Sequence, residues 1–143
     1  MSKAYHELIP GRIFMGGAQD VQSMVDHEGV VVVVDLRAEA EQCAAEAEGL
    51  EWIKVPLGDV ANEPQEELLH KAIKAVVESY KEGKKVVFHC GGGKGRTGTV
   101  AYGTLLELGL AKSIDDAEQQ AQSIRSVLSI KPAQRKSLEA IYS

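Results

Sequence analysis

Cys90 and Arg96 stand at the two ends of a loop in which four of the five intervening residues are glycine, within the run His89-Cys90-Gly91-Gly92-Gly93-Lys94-Gly95-Arg96-Thr97-Gly98. A glycine-rich loop can turn successive backbone N–H groups toward one point, where they bind an anion. An arginine adds a planar fork that matches two phosphate oxygens. A cysteine thiol, with a pKa of about 8.5 when free, becomes a thiolate at neutral pH when a helix N-terminus and a guanidinium lie beside it. These residue types and spacings describe a phosphate cradle made of Gly91, Gly92, Gly93, Lys94, Gly95 and Arg96, with Cys90 as a nucleophile at its base. His89 is placed to hold the loop by hydrogen bonding. Thr97 is placed to donate its hydroxyl to the cysteine sulfur when that sulfur leaves.

Such a loop works only between a strand and a helix, because the helix N-terminus supplies the positive end of its dipole. Residues 84–88 read as a short buried strand and residues 97–108 as a helix. Further elements follow along the chain. Residues 12–15 read as a first strand, with a turn at Gly16-Gly17 into a helix over 20–27. The valines at 30–34 form a central strand, too apolar for a face exposed to water. Alanine- and glutamate-rich residues 38–48 read as a helix closed by Gly49, and 52–55 as the next strand. Over 63–81 the apolar residues Leu68, Leu69, Ala72, Ile73, Val76, Val77 and Tyr80 have the one-sided spacing of a core-packed helix. Ser113, with Asp116 three positions on, opens a helix to about Leu128, and Pro132 suits the first turn of a last helix ending near Tyr142. This alternation predicts an α/β fold: a single central, mostly parallel twisted sheet of about 4–5 strands with helices on both faces, in one domain over 1–143. Ligands of such sheets bind at the carboxyl ends of the strands, where the Cys90 loop would lie.

Cys-x5-Arg, preceded by His and followed by Thr, resembles the signature of the cysteine-dependent protein tyrosine phosphatase superfamily. The resemblance implies hydrolysis of a phosphomonoester through a cysteinyl-phosphate intermediate, with no cofactor. A departing alkoxide or phenolate needs a proton donor, which is worth about 10² to 10⁴ in rate. Asp59, thirty-one residues before Cys90, is the best candidate, and an acid at that distance resembles the compact dual-specificity branch of the superfamily. Asp35 and Glu63 compete for the role. The run Val34-Asp35-Leu36-Arg37 resembles a strand-end signature of the same branch, where such residues look structural. On this likeness the substrate is phosphotyrosine, with phosphoserine and phosphothreonine as further substrates, in a protein or peptide. Lys94 supports an alternative. The run Gly93 to Gly98 resembles the loop of tensin-homologue lipid phosphatases, whose basic residues meet the extra phosphates of a phosphoinositide headgroup. Those enzymes carry a second lysine directly after the cysteine, where this chain has Gly91. A second alternative is an inactive module that binds phosphorylated partners. Arg125 resembles a helix arginine of the family and reads as a structural ion-pairing residue, while Gln134 is given no catalytic role.

Composition narrows the partners. A net charge of −5 over 143 residues argues against nucleic acid, which needs a basic face. Cys43 and Cys90, the two cysteines, give no disulfide framework; Cys43 reads as a small helix residue, with a reversible bond to an oxidised Cys90 as the other option. The histidines and cysteines show no clustered metal-ligand spacing, and His6, His27 and His70 read as surface residues. No apolar run approaches a membrane span or a signal peptide. The expectation is a cytoplasmic monomer, with Tyr5, Ile13, Phe14 and Met15 near the pocket.

Overall fold

Valine fills the middle of the sheet because a strand covered on both faces can carry an apolar residue at every position. The computed structural model describes residues 5–57 and 65–142, so Asp59 and Glu63 lie outside the described residues. Five strands, β1 (His6–Ile9), β2 (Ile13–Gly17), β3 (Val32–Arg37), β4 (Glu51–Leu57) and β5 (Val86–Cys90), form a sheet in the order β1-β2-β5-β3-β4. β1 is antiparallel to β2, and the other pairs are parallel, with Met15 and Val34 flanking Phe88 across the centre. This is the predicted mostly parallel α/β sheet, with one added edge strand. β1 buries only Leu8 of its four residues, which leaves too weak an alternation to read as a strand.

Successive residues of the central strands face opposite sides. Val32, Val34, Val86 and Phe88 pack against the apolar stripes of α2 (Glu66–Lys81), α3 (Gly95–Glu107), α4 (Ile114–Ile124) and α5 (Pro132–Tyr142). Val33 and Val87 face the other way, onto Phe14, Ala45 and the Val21 and Met24 side chains of α1 (Val21–Glu28). Ser113 caps α4 as expected, its hydroxyl accepting the Asp116 N–H at 3.1 Å. That helix ends at Ile124 rather than Leu128, because Arg125 turns to extended backbone (φ −135°, ψ 99°).

The helix expected over 38–48 does not form; residues 38–49 run through turns. Several of their backbone groups are bonded to side chains from elsewhere in the fold. Gln22 takes both the N–H of Glu46, at 2.9 Å, and its carbonyl, at 3.2 Å. Lys54 donates to the Ala40 carbonyl and Arg37 to that of Gln42. Alanine and glutamate favour helix by only a few tenths of a kcal/mol per residue, roughly, so these tertiary bonds prevail.

Candidate active site

The parallel strands β2, β3, β4 and β5 bring their carboxyl ends to one edge of the sheet, and the Cys90 loop starts there. Cys90 is the last residue of β5 and α3 opens at Gly95, with Lys94 exposed at its N-cap. Between them the chain passes so close to the end of β2 that side chains are excluded. Gly93 has φ +72°, and a Cβ there would lie 2.6 Å from the Gly16 carbonyl carbon. A Cβ on Gly17 would meet the Gly91 carbonyl oxygen at 2.9 Å. Two loop carbonyls are tied to groups outside the loop: Gly91 accepts from the Ala18 N–H at 3.0 Å, and Gly93 from Arg125 Nε at 2.9 Å. In a trans peptide the next N–H points the opposite way, so the N–H groups of Gly92 and Lys94 are directed away from those partners.

Around this loop stand the side chains singled out above. Thr97 Oγ1 donates to Cys90 Sγ at 3.1 Å, both groups being buried. His89 is fully buried beneath the loop, and its Nδ1 donates to the Cys90 carbonyl at 3.0 Å, as its holding role requires. Burial pushes the His89 pKa down, against the pull of Asp35 Oδ1 at 3.7 Å from Nε2. Burial alone would push the Asp35 carboxyl up. Arg37, with Nε and NH2 both at 2.9 Å, and Trp52 Nε1, at 3.0 Å, hold it below the usual carboxylate range. Asp35 is thus a charged, enclosed anchor, unsuited to carrying a proton to a departing oxygen. Asp59 and Glu63, the other two candidates for that task, lie outside the described residues.

Arg96 is buried, and the ends of β3 and β4 fasten its guanidinium. NH1 donates to the Leu57 carbonyl at 3.1 Å and to that of Leu36 at 3.4 Å. Glu39, just past β3, takes the fork in a two-pronged ion pair, with NH1 to Oε1 at 2.9 Å and NH2 to Oε2 at 3.1 Å. Hydrogen bonding from Arg96 holds the Glu39 carboxyl at a pKa of about 2. Nothing in the sequence pattern marked Glu39, because it lies fifty-seven residues from its partner.

Several expectations change. Arg125 makes a hydrogen bond to the Gly93 carbonyl and another to His6 Nδ1 at 2.9 Å, so its role includes bracing the loop rather than ion pairing alone. His6 is therefore half-buried beside the loop rather than a surface residue, whereas His70 keeps much of its side chain in solvent, 3.7 Å from Glu107 and edge-on to Tyr142. Gln134 caps α5 locally, its Oε1 accepting the Lys131 N–H at 2.7 Å. Ile13, Phe14 and Met15 are fully buried in the core, where alternation on β2 sends them, and do not flank a pocket. Cys43 packs with Phe14 and Val33 on one face of the sheet and Cys90 with the cluster on the other, so the sheet stands between the thiols. Among the described residues, no three His, Cys, Asp or Glu side chains gather as a metal site would, and no helix is long and apolar enough to cross a membrane.

The family model described as "Polymorphic toxin system, DSP-PTPase phosphatase" matches residues 11–110, a span that runs from β2 through the Cys90 loop and α3. No curated protein matches the chain. Solved structures share its fold. Human DUSP28 aligns over 99% of this chain and 95% of its own, at 19% identity and a TM-score of 0.84. Tk-PTP in its active form aligns over 99% and 98%, at 24% identity and a TM-score of 0.81. PTPMT1 in complex with PI(5)P aligns over 98% and 95%, at 21% identity and a TM-score of 0.79.

Proposed function

The chain belongs to the DSP-PTPase phosphatase family of polymorphic toxin systems, and on that premise we propose that it hydrolyses phosphotyrosine, and also phosphoserine and phosphothreonine, in proteins. The observation that carries this reading is the contact of Thr97 Oγ1 with Cys90 Sγ at 3.1 Å, at the base of a loop that ends in Arg96. A hydroxyl donating to the sulfur stabilises the negative charge that gathers there when a P–S bond breaks. Cys90 attacks phosphorus in line, forming the P–S bond as the P–O bond to the substrate breaks. Arg96 and the loop N–H groups stabilise the equatorial oxygens, while Asp59 gives its proton to the departing oxygen. Water then attacks the cysteinyl-phosphate and passes its proton to the Asp59 carboxylate. The P–S bond breaks, phosphate departs, and Thr97 stabilises the thiolate that is released. Asp59 suits the acid role because it follows Leu57 by two residues, and the Leu57 carbonyl is bonded to Arg96.

A second reading, a phosphoinositide substrate, is favoured by the exposed Lys94 at the edge of the loop and by the likeness to PTPMT1, which was solved with PI(5)P bound. The two readings separate in one assay with a phosphotyrosine peptide, a phosphoserine peptide and a soluble phosphoinositide. The expected outcome is turnover of p-nitrophenyl phosphate and of the phosphotyrosine peptide, abolished by Cys90→Ser. Turnover of the phosphoinositide alone would reverse the choice. An inert wild-type protein that still binds phosphopeptides would make the chain a binding module. Asp59→Asn is expected to slow a poor leaving group, such as an alkyl phosphate, about 10²-fold or more, and a good one such as p-nitrophenol far less.

A further inference from the structure

Glu39 places a carboxylate on the phosphate-binding arginine while remaining largely in solvent. Its side chain is 60% exposed, whereas that of Arg96 is 6% exposed. It also stands at a definite point of the loop. A Cβ built on Gly91 would lie 3.7 Å from Arg96 NH2 and 3.9 Å from Glu39 Oε2, so this carboxylate flanks the first position after Cys90. Across the loop, the exposed Lys94 carries the opposite charge. Among the described residues, the Arg96–Glu39 ion pair thus lies beside Gly91, and the Lys94 ammonium stands toward the other end of the loop.

We propose that Glu39 is a specificity-determining residue that makes the site select isolated phosphomonoesters over substrates carrying a second phosphate next to the scissile one. The inference rests on the phosphatase reading given above. The physical argument is charge repulsion. The scissile phosphate is stabilised by Arg96 and the loop N–H groups. A second phosphate on the Gly91 side would meet a fixed carboxylate whose cationic partner, Arg96, is shared with the scissile phosphate. Its hydrogen bonds to Arg96 keep Glu39 ionised at every pH at which the enzyme would work. Specificity is a difference between affinities, and one unfavourable charge contact is an effective way to produce it. At a half-solvated mouth, one like-charge contact changes relative affinity by about tenfold, and salt reduces the effect.

The test compares one peptide in two forms, carrying phosphotyrosine alone or phosphotyrosine with a phosphothreonine two positions away. In wild type and Glu39→Gln, kcat/KM is measured for loss of the tyrosine phosphate, with products resolved by mass. In the Cys90→Ser background, affinities for both peptides are measured by calorimetry. The expected result is that Glu39→Gln raises the ratio of doubly to singly phosphorylated peptide about tenfold in both measurements at low salt. The gain should shrink when ionic strength is raised. Gly91→Lys, whose new Cβ meets only ordinary contacts, should move the ratio in the same direction. If Glu39→Gln lowers kcat/KM for both peptides in equal proportion, or leaves the ratio unchanged, the specificity role is wrong, and Glu39 only orients Arg96. Failure of the underlying reading looks different: no hydrolysis of either peptide by wild type. The affinity ratio then still decides the role of Glu39.

Discussion

Thr97 shows how much a single hydroxyl can be asked to do. Its hydrogen bond to Cys90 Sγ is made between buried groups, and a hydrogen bond to an ionised partner is worth about 1.5–3 kcal/mol. In the proposed reaction the sulfur is most anionic at the end of the second step, when the P–S bond breaks. Replacing Thr97 by valine keeps the branched shape and removes the donor. Breakdown of the cysteinyl-phosphate is then expected to slow by about 10- to 100-fold. Rapid-quench kinetics should show a larger burst and a trapped phosphoenzyme, whereas loss of the burst would mean that Thr97 serves the attack instead. Cys90, Arg96, His89 and Thr97 were legible in the sequence because their relations are local: one loop, one preceding strand, one following helix. Glu39 and His6 were not, since each meets the site through a partner more than fifty residues away. Arg125 stands out in the sequence, but its bond to the Gly93 carbonyl depends on where α4 ends and the chain turns.

At the scale of elements, α3 must approach its neighbours closely to present Arg96 and Thr97 at the end of the sheet. Gly103 permits this. A Cβ at that position would lie 2.2 Å from Ile73 Cδ1 on α2 and 3.3 Å from Leu138 Cδ2 on α5. Alanine at 103 would gain about 1 kcal/mol of helix propensity. Overpacking of about 1–3 kcal/mol opposes that gain, so Gly103→Ala is expected to destabilise. Ile73→Val removes Cδ1, the nearer of two crowded atoms, leaves Cγ1 at 2.9 Å, and costs about 0.5–1.5 kcal/mol by itself. Urea denaturation of the double variant should show a loss smaller than the sum of the two singles, and strict additivity would show that α2 yields to the new methyl without strain. Helices with a strong apolar period, such as α2, are legible in the sequence because packing and pattern agree. In segment 38–49 propensity is the only helical signal in the sequence, and the structure overrides it. Its true partners, Gln22, Arg37, Lys54 and Arg96, are set by the tertiary fold, and the same bonds that prevent a helix deliver Glu39 to the site.

For the whole molecule, the sheet separates two packed cores, and His89 sits at its carboxyl edge with no exposure to solvent. Burial lowers its pKa from the ordinary value of 6.5, so the folded protein resists a proton that the unfolded chain accepts. Where the unfolded state binds more protons, stability rises with pH. The sign is therefore fixed: nothing is lost above pH 6.5, and stability falls as the pH drops below 6.5 toward the folded-state pKa. The slope approaches about 1.4 kcal/mol per pH unit for one such group. Asp35, whose folded pKa lies below the ordinary 3.8, adds its own loss only at lower pH, as the medium falls through the folded value. Between pH 7.5 and 5.0, roughly, the loss due to His89 is read as the difference in urea midpoints between wild type and a variant that does not titrate at this position. Asparagine at 89 can still donate to the Cys90 carbonyl but does not titrate. Its variant should start less stable at pH 7.5 and then lose stability more slowly than wild type on acidification. Parallel curves for the two proteins would show that the buried imidazole takes up its proton without loosening the sheet edge, and that the Asp35 pair is strong enough to accommodate it.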